Sequence, residues 1–211
     1  MRSLYLLPAL LAFALGTTGC VQTAMLPAET LEDGETQASI SVDEPGALFI
    51  PRLNAQVTRG FGGGDLTANL SATPLSDQAI VGGGLALRSY LTDGVSFEAQ
   101  LQGTSFSGSI AGLALLGVQT IPPSDGGWYV GGQMGVVEGP NLDVLFENKS
   151  GEERTWFTPV VGGTFGYGPI NLSSSTTMQL ELKANVPISE DEGDAPPVAT
   201  GLSIGVFGLF E

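Results

Sequence analysis

The chain has 211 residues, 22 acidic against seven basic, with no histidine, one cysteine and 31 glycines. The missing histidine excludes Ser-His-Asp or Cys-His catalysis and imidazole zinc sites. The single cysteine excludes an internal disulfide or a cysteine-rich metal cluster, and a net charge of −15 excludes a basic face for nucleic acid. Mean hydropathy is nevertheless positive, +0.22. The charged residues, 14% of the chain, must therefore be concentrated in places, leaving long stretches nearly free of charge.

Met1 and Arg2 form a minimal positive start, followed by a charge-free run from Leu4 to Leu15. That run is too short for a membrane-spanning helix, which needs about 20 residues, and suits the apolar region of a signal peptide. Gly16, Thr17, Thr18, Gly19 and then Cys20 follow. This ending resembles the bacterial lipoprotein signal, in which small residues precede a cysteine that is diacylated and becomes the mature N-terminus. Thr17 departs from the Leu usual at its position. Val21, in place of the aspartate associated with inner-membrane retention, implies the outer membrane. The expected organisation is a removed signal peptide over 1–19, an acidic tether over 20–35 with lipid on Cys20, and a single domain over 36–211. The alternative is an ordinary signal-peptidase cut with Cys20 incidental.

Residues 21–35 carry Pro27, Glu29, Glu32, Asp33, Gly34 and Glu35, which reads as a tether. From there apolar and polar residues alternate in stretch after stretch, the signature of half-buried strands. Strands are predicted at 36–42, 47–59, 65–73, 79–91, 95–105, 108–118, 127–138, 154–167, 174–186 and 198–210, with 142–147 left in a long hairpin loop. Asp43-Glu44-Pro45-Gly46, Gly62-Gly63-Gly64-Asp65, Thr92-Asp93-Gly94 and Pro122-Pro123-Ser124-Asp125-Gly126 supply the intervening turns. The fold class is all-β, a closed antiparallel up-and-down barrel of about ten strands, with eight as the alternative.

Alternation alone does not say whether the apolar face fills a core or meets lipid. Three features favour lipid. The polar faces are mostly Gln, Asn, Ser and Thr with a few opposite charges (Arg88, Glu98, Glu181, Lys183), as an enclosed polar lumen requires. Aromatics gather near strand ends, where interfacial girdles sit: Tyr90, Trp128, Tyr129, Trp156, Phe157, Tyr167 and Phe210. The strands reach the 9–11 residues needed for a tilted crossing, and a bilayer tolerates such strands only in a closed barrel. The alternative is a soluble, lipid-anchored barrel enclosing a small apolar ligand.

The stretch Val81-Gly82-Gly83-Gly84-Leu85-Ala86-Leu87-Arg88-Ser89-Tyr90-Leu91-Thr92-Asp93-Gly94-Val95-Ser96-Phe97-Glu98-Ala99 resembles the repeating hairpin of small OmpA-type outer-membrane β-barrels. Ser203, Gly205 and Phe210 in the final strand resemble the C-terminal signal read by the barrel assembly machinery, although Gly208 replaces a hydrophobic position and Glu211 follows the aromatic. The resemblance implies outer-membrane lipid and that machinery as partners. With a periplasmic N-terminus, ten strands return the C-terminus to the periplasm, make 92–94 a periplasmic turn and place 139–153 and 187–197 among the outer loops. A further surface or periplasmic partner is left open.

No catalytic, cofactor or metal site is expected. Glu98 and Glu181 are a carboxylate pair that acid-base chemistry could use, yet Arg88 and Lys183 on the same face make a lumen salt-bridge network the better reading. Glu190, Asp191, Glu192 and Asp194 lack calcium-loop spacing, and Gly62–Gly64 and Gly82–Gly84 lack the Lys and helix of a phosphate cradle. The expected function is a non-enzymatic outer-membrane barrel lipoprotein with a structural, surface-interaction or minor-transport role.

Overall fold

The computed structural model describes residues 25–45, 51–74, 79–106, 109–140, 155–188 and 199–210. Cys20, the acidic run 190–194 and the segment 142–147 lie outside them. The described residues form ten strands: β1 Thr36–Pro45, β2 Arg52–Phe61, β3 Gly64–Pro74, β4 Ala79–Thr92, β5 Val95–Phe106, β6 Ser109–Thr120, β7 Gly127–Pro140, β8 Thr155–Asn171, β9 Thr176–Pro187 and β10 Ala199–Phe210. Each pairs antiparallel with its sequence neighbours, and β1 pairs with β10 from Thr36↔Phe210 to Pro45↔Gly201, closing the barrel. Among the described residues, closure leaves no edge strand. The strand count of ten is thereby established over eight.

The registers also fix the shape. Followed around the circumference, inter-strand pairing returns to its starting strand displaced by about twelve residues, which tilts the strands by about 40°, within the range of closed barrels. A strand of ten residues at this tilt rises about 25 Å, the height of the apolar band of membrane barrels. Short connections at 62–63, 93–94, 121–126 and 172–175 lie at the end that also carries Thr36 and Phe210. Turn 62–63 is tight because Gly63 adopts φ +93°, a left-handed conformation that costs glycine nothing.

Burial is inverted with respect to a water-soluble barrel. In β2, Arg52, Asn54, Gln56 and Thr58 are buried while Leu53, Ala55, Val57 and Arg59 are exposed. The same parity runs round the wall: Asp65, Thr67, Asn69, Ser96, Gln100, Gln102, Gln179 and Asn185 point inward. Ile40, Leu70, Leu85, Leu101, Met134 and Ile204 point outward, Leu70 with 71% of its surface free. Among the described residues, the buried set holds 27 polar or charged side chains and only ten hydrophobic ones. An apolar outer surface this continuous far exceeds the patches tolerated in water. Hydrocarbon is the medium that matches it, provided every backbone group is internally paired, as closure ensures.

The outer face makes a direct expectation. Leu70→Arg, near the middle of β3, is expected to cost about 2–4 kcal/mol of folding free energy in a phosphatidylcholine bilayer. Chemical unfolding from vesicles reads the change; an unchanged stability would place that face in water.

Candidate functional site

The lumen is the site, and it is occupied. Residues 25–35, expected as a tether, instead turn back into the barrel from the end that bears the termini. Met25, Leu26, Ala28 and Leu31 are all at most 4% exposed and supply four of the ten buried hydrophobic residues. The reversal happens at Gly34, whose φ of +83° lets the chain fold back on β2: Gly34 N–H donates to Gly60 O at 3.0 Å and Gly60 N–H to Glu35 O at 2.9 Å. A side chain at Gly60 would strike the Glu32 carbonyl, so that close approach also depends on glycine. Ten strands leave more room than eight, and glycine or serine at lumen positions 39, 41, 166, 168 and 205 widens it further.

Lumen side chains hold this segment chiefly by its main chain. Gln179 accepts from Ala28 N–H at 2.7 Å and donates to Leu26 O at 2.9 Å, so one carboxamide acts as a two-bond strand partner. Arg88 donates through Nη1 to Pro27 O and through Nη2 to Glu29 O at 2.8 Å. Gln56 Nε2 donates to Met25 O at 2.6 Å, and Leu31 N–H donates to the Tyr90 hydroxyl at 2.9 Å. The Glu29 carboxylate accepts from Gln37 Nε2 at 2.7 Å.

Arg88 is itself fixed by Asp65, its register partner on β3. Asp65 Oδ2 accepts from Arg88 Nε at 2.9 Å, from Nη2 at 2.5 Å and from the Tyr90 hydroxyl at 2.6 Å, with both charged side chains at most 1% exposed. The guanidinium also lies 5.3 Å from the Tyr90 ring centroid, a cation–π distance. A second ion pair, Lys183 Nζ to Glu181 Oε1 at 3.0 Å, stands on β9. Tyr129 spans from β7 across Gly166, where a Cβ would enter its ring, to donate to Glu181 Oε2 at 3.0 Å and to accept from Gln179 Nε2 at 2.6 Å. Glu98 is buried opposite Arg88 in the β4–β5 register, with Oε1 lacking a hydrogen bond.

Arg88, Glu98, Glu181 and Lys183 thus all face the lumen, Arg88 paired with Asp65 and Lys183 with Glu181, and the Glu98 carboxylate interacts electrostatically with both Lys183 and Arg88. Asp65, Asp43 and Arg52 join the charged lining, and both aspartates were read from the sequence as turn acids. Asp43 sits between Arg52 of β2 and Ser203 of β10. The signal available was parity: Asp65 keeps step with Thr67 and Asn69, and Asp43 with Ser39 and Ser41.

The aromatic set divides. Trp128, 66% exposed, and Tyr167 lie on the outer wall near the terminal end, where Trp128 stacks on Phe165 and meets Tyr167 edge-on, both at 4.9 Å. Tyr129 and Tyr90 do not belong to a belt. Tyr129 is 1% exposed inside the lumen, and the Tyr90 hydroxyl serves the plug and Asp65. Their parity explains it, since Tyr90 keeps step with Arg88 and Tyr129 with Gln133. Trp156, Phe157 and Phe210 lie on the backbone of β8 and β10, and their side chains fall outside the described residues.

No family model and no curated protein sequence matches the chain. Among solved structures it is similar to the N-terminal β-barrel domain of Pseudomonas aeruginosa OprF, at 12% identity and a TM-score of 0.44, covering 84% of this chain and 98% of that one. It is similar to the KdgM porin at 9% identity and a TM-score of 0.42, covering 83% and 99%. Likeness to the anion-selective porin from Comamonas acidovorans is at 16% identity and a TM-score of 0.36, and spans 57% of that longer chain.

The plug makes its own expectation. Arg88→Met strands the Asp65 carboxylate and frees two plug carbonyls, at an expected cost of about 3–5 kcal/mol. Amide exchange at Ala28 and Leu31 should accelerate at least tenfold in the variant, read by mass spectrometry in detergent; exchange as slow as in the parent would show that Arg88 does not hold the segment.

Proposed function

We propose that the protein is a non-enzymatic barrel of the bacterial outer membrane whose lumen is closed by its own N-terminal segment. One observation carries the reading: apolar side chains face out on every described strand and polar ones face in over most of the wall, with one apolar inward patch of Leu113, Leu115 and Val160 on β6 and β8. Hydrocarbon stabilises the first set, and enclosure with mutual hydrogen bonding satisfies the second. The aromatic group Trp128, Phe165 and Tyr167 suits the headgroup level at the terminal end. The filled lumen argues against open-porin conduction and for a structural or surface-interaction role, with transport confined to states in which residues 25–33 leave. The rival soluble carrier of an apolar ligand needs a mainly apolar lumen, whereas this one is lined mainly with Gln, Asn, Thr and paired ions, its apolar part being the patch of Leu113, Leu115 and Val160 and the ring of Phe207. The absence of histidine from the chain favours a non-enzymatic role among envelope barrels.

Lipid on Cys20 forms part of the proposal and meets a geometric condition. Met25 is held beside Gln56 and Gly205, near the middle of β2 and β10. Five residue steps, at most about 18 Å of extended chain, connect it to Cys20. That length exceeds the distance from mid-lumen to either mouth of a wall about 25 Å high, so an acylated Cys20 is compatible with the seated segment.

The test uses the Trp156→Phe chain, in which Trp128 is the remaining tryptophan, reconstituted into vesicles. Brominated acyl chains are expected to quench Trp128 by half or more. A Cys20→Ser chain that stays monodisperse in buffer without detergent, with Trp128 unquenched, would overturn the membrane reading. Intact mass of the mature chain reads the anchor separately: an acylated N-terminal Cys20 is expected, and an unmodified start elsewhere removes it.

A further inference from the structure

The contacts between lumen and plug have an unusual chemistry. Six of them, from Gln56, Arg88 (two), Gln179 (two) and Tyr90, go to main-chain atoms of residues 25–31. Every extended polypeptide presents those atoms. The Gln179 carboxamide engages Leu26 O and Ala28 N–H, two residues apart, and Arg88 engages Pro27 O and Glu29 O, also two residues apart. The main chain bends at Ala28 and Glu29, and lumen side chains pair with its carbonyls and N–H groups as a sheet edge does in strand addition. The side-chain requirements are apolar residues at 25, 26 and 31, Pro27 and Ala28, all buried, and a carboxylate at 29 for Gln37. Thr30, Glu32 and Asp33 are exposed and unconstrained.

We propose that the lumen is a binding site for a polypeptide main chain, that residues 25–31 are its occupant in cis, and that it accepts a peptide in trans once that occupant is detached. The inference rests on the closed, filled barrel described above and does not depend on the membrane around it. Covalent attachment through Gly34 gives the resident segment an effective concentration in the millimolar range, so cis occupancy needs only modest intrinsic affinity. Detachment leaves Arg88, Gln179, Gln56 and Tyr90 with unmet hydrogen-bonding capacity in a confined space. Another main chain satisfies those groups where an apolar ligand does not. The ligand class is a peptide entering from the end that carries the chain termini, with a short apolar run followed by an acidic residue.

The experiment cuts the connection after folding. A protease site inserted between Glu32 and Asp33 is cleaved in the full-length, detergent-folded protein, so the barrel folds with its own plug in place. The difference in mobility between boiled and unboiled samples verifies that the barrel stays closed. A fluorescein-labelled peptide of residues 21–32 is then added and its anisotropy followed. Labelled peptide is expected to displace the nicked segment and bind saturably. Exchanging Thr30 for Ser and Glu32 for Gln should change affinity less than twofold, while N-methylation at Ala28 and Leu31 should weaken it tenfold or more. A closed, nicked barrel that takes up no peptide, or that binds parent and N-methylated peptides equally, would overturn the proposal. Neither result touches the membrane reading, which is tested by lipid quenching of Trp128.

Discussion

Everything in this molecule depends on a closed hydrogen-bond ladder with side chains of opposite polarity on its two faces. The β1–β10 pairing removes the last free edge, so the backbone makes no demand on the surrounding medium. The side chains then decide what that medium is. Leu70, Ile40 and Leu101 can face hydrocarbon at no cost, whereas Thr67, Asn69 and Gln100, one or three positions from Leu70 or Leu101, cannot. Because side chains alternate with period two, a one-residue slip in any strand would exchange the faces and place amides in lipid.

Inverting the faces moves the packing problem to the inside. A ten-stranded wall encloses more space than its own short polar side chains fill, and polar atoms in a narrow lumen need partners. The inserted segment supplies both volume and partners. Leu26 packs beside Ala86, while main-chain atoms of residues 25–31 satisfy Gln56, Arg88, Gln179 and Tyr90. Arg88 links the two levels: its charge is balanced by Asp65 on the wall, and its remaining donors face the plug. The Asp43 Oδ1, Glu98 Oε1 and Gln100 Oε1 atoms have no protein hydrogen-bond partner.

How much was legible in the sequence follows from this physics. Strands reveal themselves because period-two alternation is a side-chain property, and the predicted spans 79–91, 95–105 and 127–138 lie within two residues of β4, β5 and β7. The lumen residues Arg88, Glu98, Glu181 and Lys183 were legible for the same reason. Tyr90 and Tyr129 were misplaced because nearness to a strand end was weighed above parity, although Trp128 and Tyr129, adjacent in sequence, must face opposite ways. The plug was illegible for a deeper reason. Residues 25–31 have no periodicity, and they are bound mainly through carbonyls and amides, which every residue carries alike. The apolar content at Met25, Leu26, Ala28 and Leu31 was the only trace, masked by the acids at 29, 32, 33 and 35.

The assignment of faces is tested most directly by scanning a single strand in a bilayer. In a Cys20→Ser background, spin labels at each position from Leu53 to Thr58 are compared for collision with oxygen, which partitions into hydrocarbon, and with a water-soluble nickel chelate. Labels at Leu53, Ala55 and Val57 are expected to favour oxygen strongly, and those at Asn54, Gln56 and Thr58 to be shielded from it, with a strict period of two. A uniform response along the strand, or nickel preference at Leu53, Ala55 and Val57, would contradict a barrel with its apolar face in lipid.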